Sequence, residues 1–215
     1  MIDIQRRVPK QSRSIAVVDA ILEVTAHILL ESKEQVFTTN HIATLAGVSI
    51  GSLYQYFPNK ESIVAKLVGL HQAEEFRRIS SLMTKIRKSR TCKNSKSDRE
   101  NNIRLVMEEF ISVHSENLEL ARILRIQANS LAYPELSQNT ASFLTEFLHP
   151  LLDEVDGSDL HDNYTRAYII ANSVDSLIQT TLIDEPLFFT QPEFIDELVN
   201  LSMGYLGQSQ DFGNA

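Results

Sequence analysis

The chain lacks a long hydrophobic run. No apolar stretch approaches the about 20 residues that a membrane-spanning helix needs, so no membrane partner is expected. Met1-Ile-Asp-Ile-Gln-Arg-Arg7 leads into no apolar stretch, and no signal peptide is expected. Cysteine is nearly absent: Cys92 stands alone in a polar segment and cannot form an internal disulfide, which fits a reducing cytoplasm. Glycine is sparse, 7 in 215 residues, and none falls in a GxGxxG or GxxxxGK[ST] pattern, which argues against nucleotide enzymes of those two types. HExxH is missing as well. Asp153-Glu-Val-Asp-Gly-Ser-Asp159 is acidic enough for a calcium loop, but its carboxylates and glycine miss the EF-hand spacing. Cys92 has no catalytic context nearby. No catalytic residue, metal site or cofactor is expected, and the chain does not read as an enzyme. What is present, 43% apolar and 22% charged residues, is the ordinary composition of a soluble globular protein.

Charge is distributed unevenly. The formal net charge of −8 on its own argues against a nucleic-acid partner. Residues 1–93, however, carry 14 Lys and Arg against 8 Asp and Glu, and residues 94–215 carry 6 against 20. A basic front on an acidic body suits a chain of which one end meets phosphate. Part of the excess, Lys85, Arg87, Lys88, Arg90 and Lys93, reads as a solvated linker.

Periodicity is helical throughout, with no sustained alternation of the kind a strand needs. Residues 14–30 carry Ile15, Val18, Leu22, Ala26 and Leu29 on one face, with Ser14 as the expected cap. Short helices follow over His41–Ala46 and Ile50–Phe57. A long amphipathic pattern begins at Lys60 and gives way to a polar loop over Lys88–Asn102. Further helices are expected over Ile103–His114, Leu118–Ala132, a stretch from Tyr133 through Phe143, Phe147 and Leu151, Asn163–Ile183 and Pro192–Leu206, with Asp153–Asp162 a loop. The predicted fold is all-α with about nine helices. Residues 1–62 make a small N-terminal domain with a basic arm (Arg6, Arg7, Lys10, Arg13), and 63–215 a larger helical domain.

The two short helices carry the information. Thr38, Thr39 and Asn40 offer caps to the first, Gly47 stands where a helix ends with positive φ, and Ser49 can cap the second. Two short helices about a glycine turn make a helix-turn-helix, whose second helix offers its N-terminal residues to the DNA major groove. Ile42, Ala43, Ala46, Val48 and Leu53 can supply the core, as can Phe57. Residues not needed for packing, Ser49, Gly51, Ser52, Tyr54, Gln55 and Tyr56, are small or hydrogen-bonding. Small side chains at the start of the helix let its free N–H groups approach phosphate.

The run Ile42-Ala-x-x-Ala-Gly-Val-Ser-x-Gly-x-Leu-Tyr-x-Tyr-Phe-x-x-Lys-Glu-x-Ile63 resembles the TetR (tetracycline-repressor-like) family of bacterial transcription regulators. The likeness spans about 50 N-terminal residues, and the rest of the chain agrees only in helix number and length. It implies a homodimer on a palindromic operator in double-stranded DNA, released by a small-molecule effector bound in the C-terminal domain, with repression the usual outcome. By family position Gln55 points into the groove, where its amide can pair with adenine. Ser52 and Asn40 are candidates for base edges. For Ile50 two readings stand, contact with a thymine methyl or packing inward. Thr39, Tyr54, Tyr56 and Lys60 occupy phosphate-contact positions, which set register rather than sequence preference. The basic arm either reaches the DNA or is solvated.

A single recognition helix touches too few base pairs to single out a site, so a two-fold pair is expected. Asn163–Ile183 is apolar on more faces than one buried side requires and, with Pro192–Leu206, is the candidate dimer bundle. Effector-pocket candidates are His71, Phe110, Arg122, Gln127, Phe147, Tyr168 and Asn172. Arg122 has a second reading, internal pairing with glutamates such as Glu119. The competing function is an all-α adaptor that uses its helix-turn-helix only for packing.

Overall fold

Side-chain caps fix where the helices begin. In the computed structural model, which describes residues 4–7, 9–31, 37–89, 95–131, 141–146, 148–149 and 160–208, Thr38 accepts a hydrogen bond from the His41 amide at 3.2 Å. Ser49 accepts one from the Ser52 amide at 3.0 Å, and Ser95 one from the Asp98 amide at 3.1 Å. Each satisfies an N–H that the first helical turn leaves without an intrahelical partner. The helices are α1 (Ser12–Leu30), α2 (Thr39–Leu45), α3 (Ile50–Tyr56), α4 (Lys60–Ser89), α5 (Lys96–Ser115) and α6 (Leu118–Ser130). Then come α7 (helical at 141–146 and 148–149), α8 (Leu160–Asp184), a 3-10 turn over Pro186–Thr190, and α9 (Pro192–Gln208). The fold is all-α, with no strand among the described residues.

Several boundaries differ from the sequence reading. α1 starts before Ser14, whose hydroxyl donates back to the Gln11 carbonyl at 2.7 Å and accepts the Gln11 amide at 3.1 Å. The predicted loop over Lys88–Asn102 is helical from Lys96 onward, because Ser95 and Asp98 form a reciprocal capping box inside that polar run. α8 likewise begins at Leu160, within the predicted loop. The expected start of a helix at Tyr133 lies outside the described residues, as do Phe147, Pro150 and Leu151.

By packing, the chain divides into two compact units, 1–73 with 118–138, and 74–117 with 139–215. In the first, α1 contributes Val18, Ile21 and Leu22 to a core completed by Ile42 and Ala43 of α2, Leu53 and Tyr56 of α3, Phe57 and Ile63. A second cluster explains why α6 joins this unit: Leu124 of α6 packs with Val64, Ala65 and Val68 of α4, with Leu29 and Leu120 alongside. In the second unit Ile79, Phe110, Val174, Ile178 and Leu182 are almost wholly buried. Charge pairs tie its helices. Arg78 of α4 bonds Glu109 at 2.5 Å, Glu116, and the Ser112 hydroxyl at 3.2 Å. Arg104 of α5 bonds Asp196 of α9 at 2.5 Å. Arg166, buried in α8, donates to the Leu206 carbonyl near the end of α9 at 2.9 Å.

Candidate nucleic-acid interface

Gly47 has φ +65, the left-handed conformation that closes α2 and turns the chain toward α3. Its position was legible because a side chain there would be strained. The turn packs as the periodicity requires: Ile42, Leu53 and Phe57 are fully buried, with Ala46 and Val48 partly so. With that face committed, α3 presents Ile50, Gly51, Tyr54 and Gln55 to solvent. Ile50, 38% exposed, does not pack inward, so of its two readings the outward one agrees with its position. A Cβ on Gly51 would meet only the Ser49 hydroxyl, at 3.9 Å, so packing does not demand glycine there.

The hydroxyls of this face are already ordered. Thr39 of α2 and Tyr54 of α3 share a hydrogen bond at 3.0 Å, joining the two helices at their exposed ends. Ser49 and Ser52 are joined hydroxyl to hydroxyl at 2.8 Å. Ser52 is half-buried, so its hydroxyl serves the start of α3 as well as facing outward. Asn40 is exposed on the first turn of α2, and its carbonyl accepts from Thr44 at 2.9 Å.

Two expected phosphate ligands sit differently. Tyr56 is only 6% exposed and belongs to the core cluster, because the face of α3 that carries Leu53 carries it too. Its ring is a packing element. Lys60 donates to the Phe37 carbonyl at 3.3 Å, with its ammonium 5.2 Å from the centre of the Phe37 ring. An ammonium has three donors, so this contact leaves others for a phosphate. Arg6 of the basic arm is bonded to α3 itself, through its amide to the Tyr56 carbonyl at 2.9 Å and its guanidinium to the Tyr54 carbonyl at 3.3 Å. Sequence reading missed this, since nothing local in Gln5-Arg6-Arg7 points to a partner 48 positions on.

The effector-pocket candidates fall in both units. In the first, His71 lies on α4 half-buried, and burial holds its pKa below the ordinary histidine value. Arg122 lies 3.7 Å from Glu119 on its own helix, which accords with internal pairing. Gln127 is half-buried, and its carbonyl accepts from the Ser130 hydroxyl at 2.9 Å. In the second, Phe110 is buried and stacks on His114 at 5.7 Å between ring centres. Asn172 turns its amide onto the Tyr168 carbonyl at 2.8 Å, and Tyr168 is itself 51% exposed. Phe147 lies outside the described residues.

His114 and Glu75, which the sequence reading passed over, are a buried ionisable pair of the second unit, 3.8 Å apart. His114 Nδ1 is 2.9 Å from the Phe110 carbonyl, and a carbonyl only accepts, so Nδ1 carries a proton and Nε2 turns to the carboxylate. A histidine amid apolar neighbours gives no sequence signal that separates this role from packing.

On α8 and α9 a second surface stands out. Tyr164, Tyr168, Ile169 and Leu177 of α8 and Leu201 and Tyr205 of α9 are exposed, while Ala167, Ile170, Val174, Leu198 and Val199 of the same helices are buried. Both helices are therefore apolar on two sides among the described residues. No helix among the described residues is long and apolar enough to cross a membrane.

Residues 21–67 match a family described as bacterial regulatory proteins, tetR family. Solved structures of similar fold include a TetR-family transcriptional regulator from Streptomyces coelicolor, 22% identical, covering 93% of this chain and 100% of that one at a TM-score of 0.55. A fatty acid degradation regulator, FadR, from Bacillus halodurans is 15% identical over 86% and 97% of the two chains, with a TM-score of 0.59. A transcriptional regulator from Pseudomonas aeruginosa is 14% identical over 95% and 93%, at 0.63. At these identities the likeness is one of fold. No curated protein matches the chain in sequence.

Proposed function

We propose that the chain regulates transcription by binding a palindromic operator as a homodimer and leaves it when a small molecule binds, a reading supported by the match of residues 21–67 to the tetR family of bacterial regulatory proteins. The observation that carries the DNA reading is the division of labour on α3. Leu53, Tyr56 and Phe57 are spent on the core, while Ile50 and Gly51 at the capped helix start and Tyr54 and Gln55 in the last turn are left in solvent. Pure packing has no use for an exposed isoleucine beside a glycine and an amide. A major groove has, since it offers thymine methyls and adenine edges.

In this reading Gln55 pairs with a base, Ile50 meets a thymine methyl, and Asn40 and Ser52 reach adjoining edges. Thr39, Tyr54 and Lys60 hold phosphates and fix the register, with the Thr39–Tyr54 bond pre-setting two of them. The exposed apolar sides of α8 and α9 are the dimer surface, which sets two recognition helices against half-sites about one helical turn, or a multiple, apart. The effector binds in the C-terminal domain, and its effect reaches α3 through α4, which is unbroken from Lys60 to Ser89. Release requires only that the effector favour a dimer geometry whose half-site spacing no longer suits the operator.

Selection from a pool of random duplexes, followed by a salt titration on the winner, tests this. The expected result is a two-fold symmetric sequence and an affinity that falls log-linearly and steeply with salt. An adaptor would retain no duplex at low ionic strength.

A further inference from the structure

The amino-terminal arm is bonded to the end of α3, and that contact has a consequence for recognition. α3 has 7 residues, so its last turn leaves the carbonyls of Tyr54, Gln55 and Tyr56 without intrahelical partners, while that of Leu53 takes the Phe57 amide. One residue occupies two of the three. The Arg6 amide donates to the Tyr56 carbonyl at 2.9 Å, and its guanidinium donates to the Tyr54 carbonyl at 3.3 Å. The two carbonyls bracket Gln55. Upstream, Ile4 packs against the cluster of Val64, Ala65, Val68 and Leu124, so the arm is pinned two residues before the clasp. On the other side of Tyr54, its hydroxyl is held by Thr39 at 3.0 Å.

We propose that Arg6 is a positioning residue for DNA recognition, which clamps the carboxyl end of α3 and so fixes the direction in which Gln55 and Tyr54 leave the helix, instead of binding DNA phosphate itself. This rests on the reading of α3 as the recognition helix. A short helix of which only the start is capped can fray from its other end, and Gln55 lies in that last turn. Arg6 supplies the missing end. Its positive charge also complements the negative pole of the α3 dipole, on the side away from the helix start. Arg7 and Lys10, exposed neighbours in the same arm, have no such bond among the described residues and are the natural controls.

The two roles differ in what salt does. A phosphate ligand releases counterions, so its removal flattens the slope of log affinity against log salt by about 0.9 per contact and weakens all sequences alike. A clamp releases none. The experiment measures Arg6→Ala and Arg6→Gln in the full chain, against the duplex selected by the wild-type protein and a random duplex of equal length. For Arg6→Ala the expected result is a loss of about 2- to 10-fold on the selected duplex, the range of one hydrogen bond, with less on the random one and the salt slope unchanged. Arg6→Gln, which keeps a donor without the charge, recovers part of the loss. Equal loss on both duplexes with a flattened slope makes Arg6 a phosphate ligand and overturns the proposal, as does no loss at all.

Amide hydrogen exchange without DNA separates this from the reading it rests on. The Arg6 amide, bonded to Tyr56, is protected while the exposed Arg7 and Lys10 amides exchange fast; fast exchange at Arg6 overturns the clamp whatever the DNA results. Wild-type protein that retains no duplex while its Arg6 amide stays protected refutes the DNA reading, and the positioning role with it, but leaves the contact standing.

Discussion

Gly51→Ala separates folding from function. Gly51 lies inside α3 with no positive φ, and the added Cβ finds its nearest neighbour, the Ser49 hydroxyl, at ordinary contact distance, 3.9 Å. Alanine is the better helix former by roughly 0.5–1 kcal/mol, so the variant is expected to be as stable as the parent or more so by up to about that amount. DNA gives the opposite sign. A methyl on the exposed start of the helix, between Ser49 and Ser52, stands where, in the proposed reading, the backbone approaches the groove. A misfit there costs about 1–3 kcal/mol, the scale of a mismatched base pair, or roughly 5- to 150-fold in affinity. Urea unfolding reads the first effect and fluorescence anisotropy on the selected duplex the second. Unchanged affinity in a stable variant refutes the placement of the α3 start against DNA; lost stability refutes the packing analysis. Gly47→Ala is the contrast, since φ +65 strains any side chain, and the loss appears in unfolding at about 1–2 kcal/mol.

Other expectations follow from single contacts. Gln55→Ala relaxes base preference at one position in each half-site, at about 1–3 kcal/mol, in a repeat of the duplex selection. Lys60→Ala flattens the salt slope by about 0.9 per contact and, because the Phe37 bond is lost, lowers stability by about 0.5–1.5 kcal/mol in urea. Leu177→Glu with Leu201→Glu buries charge in the proposed dimer surface, so sedimentation should show monomers and the operator affinity should collapse, with each chain still folded. For His71 the folded pKa is depressed by burial, so the unfolded chain takes the proton first: its contribution to stability is full above about pH 6.5 and declines as pH falls from there toward the lowered folded value. His71→Gln should flatten that part of the stability-against-pH curve relative to wild type.

What could be read from sequence is what local physics determines. Gly47, the Ser49 cap and the buried Leu53 and Phe57 follow from turn strain, an orphan amide and helical spacing, all within one short window. The start of α5 was obscured because Ser95 and Asp98 make their capping box in a run of polar residues with no apolar stripe to mark the helix. The contacts of Lys60 with Phe37 and of Arg6 with Tyr54 span 23 and 48 positions, and periodicity has no reach over such distances. Tyr56 shows the limit of motif reading, since its position suggests DNA while its face of α3 belongs to the core. Effector-pocket residues leave no such local mark, for a related reason. Polar residues on helices, such as Arg122 and Asn172, bond to neighbours on their own helix as readily as to a ligand.

In the proposed reading α3 lies in a major groove with Gln55 at the bases. Disulfide trapping of Gln55→Cys against duplexes carrying a thiol-bearing base at each position in turn measures this directly. Cross-links are expected at two symmetric positions about one helical turn, or a multiple, apart, and none from a cysteine placed at the exposed Leu177 of α8. Cross-links scattered evenly along the duplex, or none from residue 55 on a duplex that the protein binds, would contradict it.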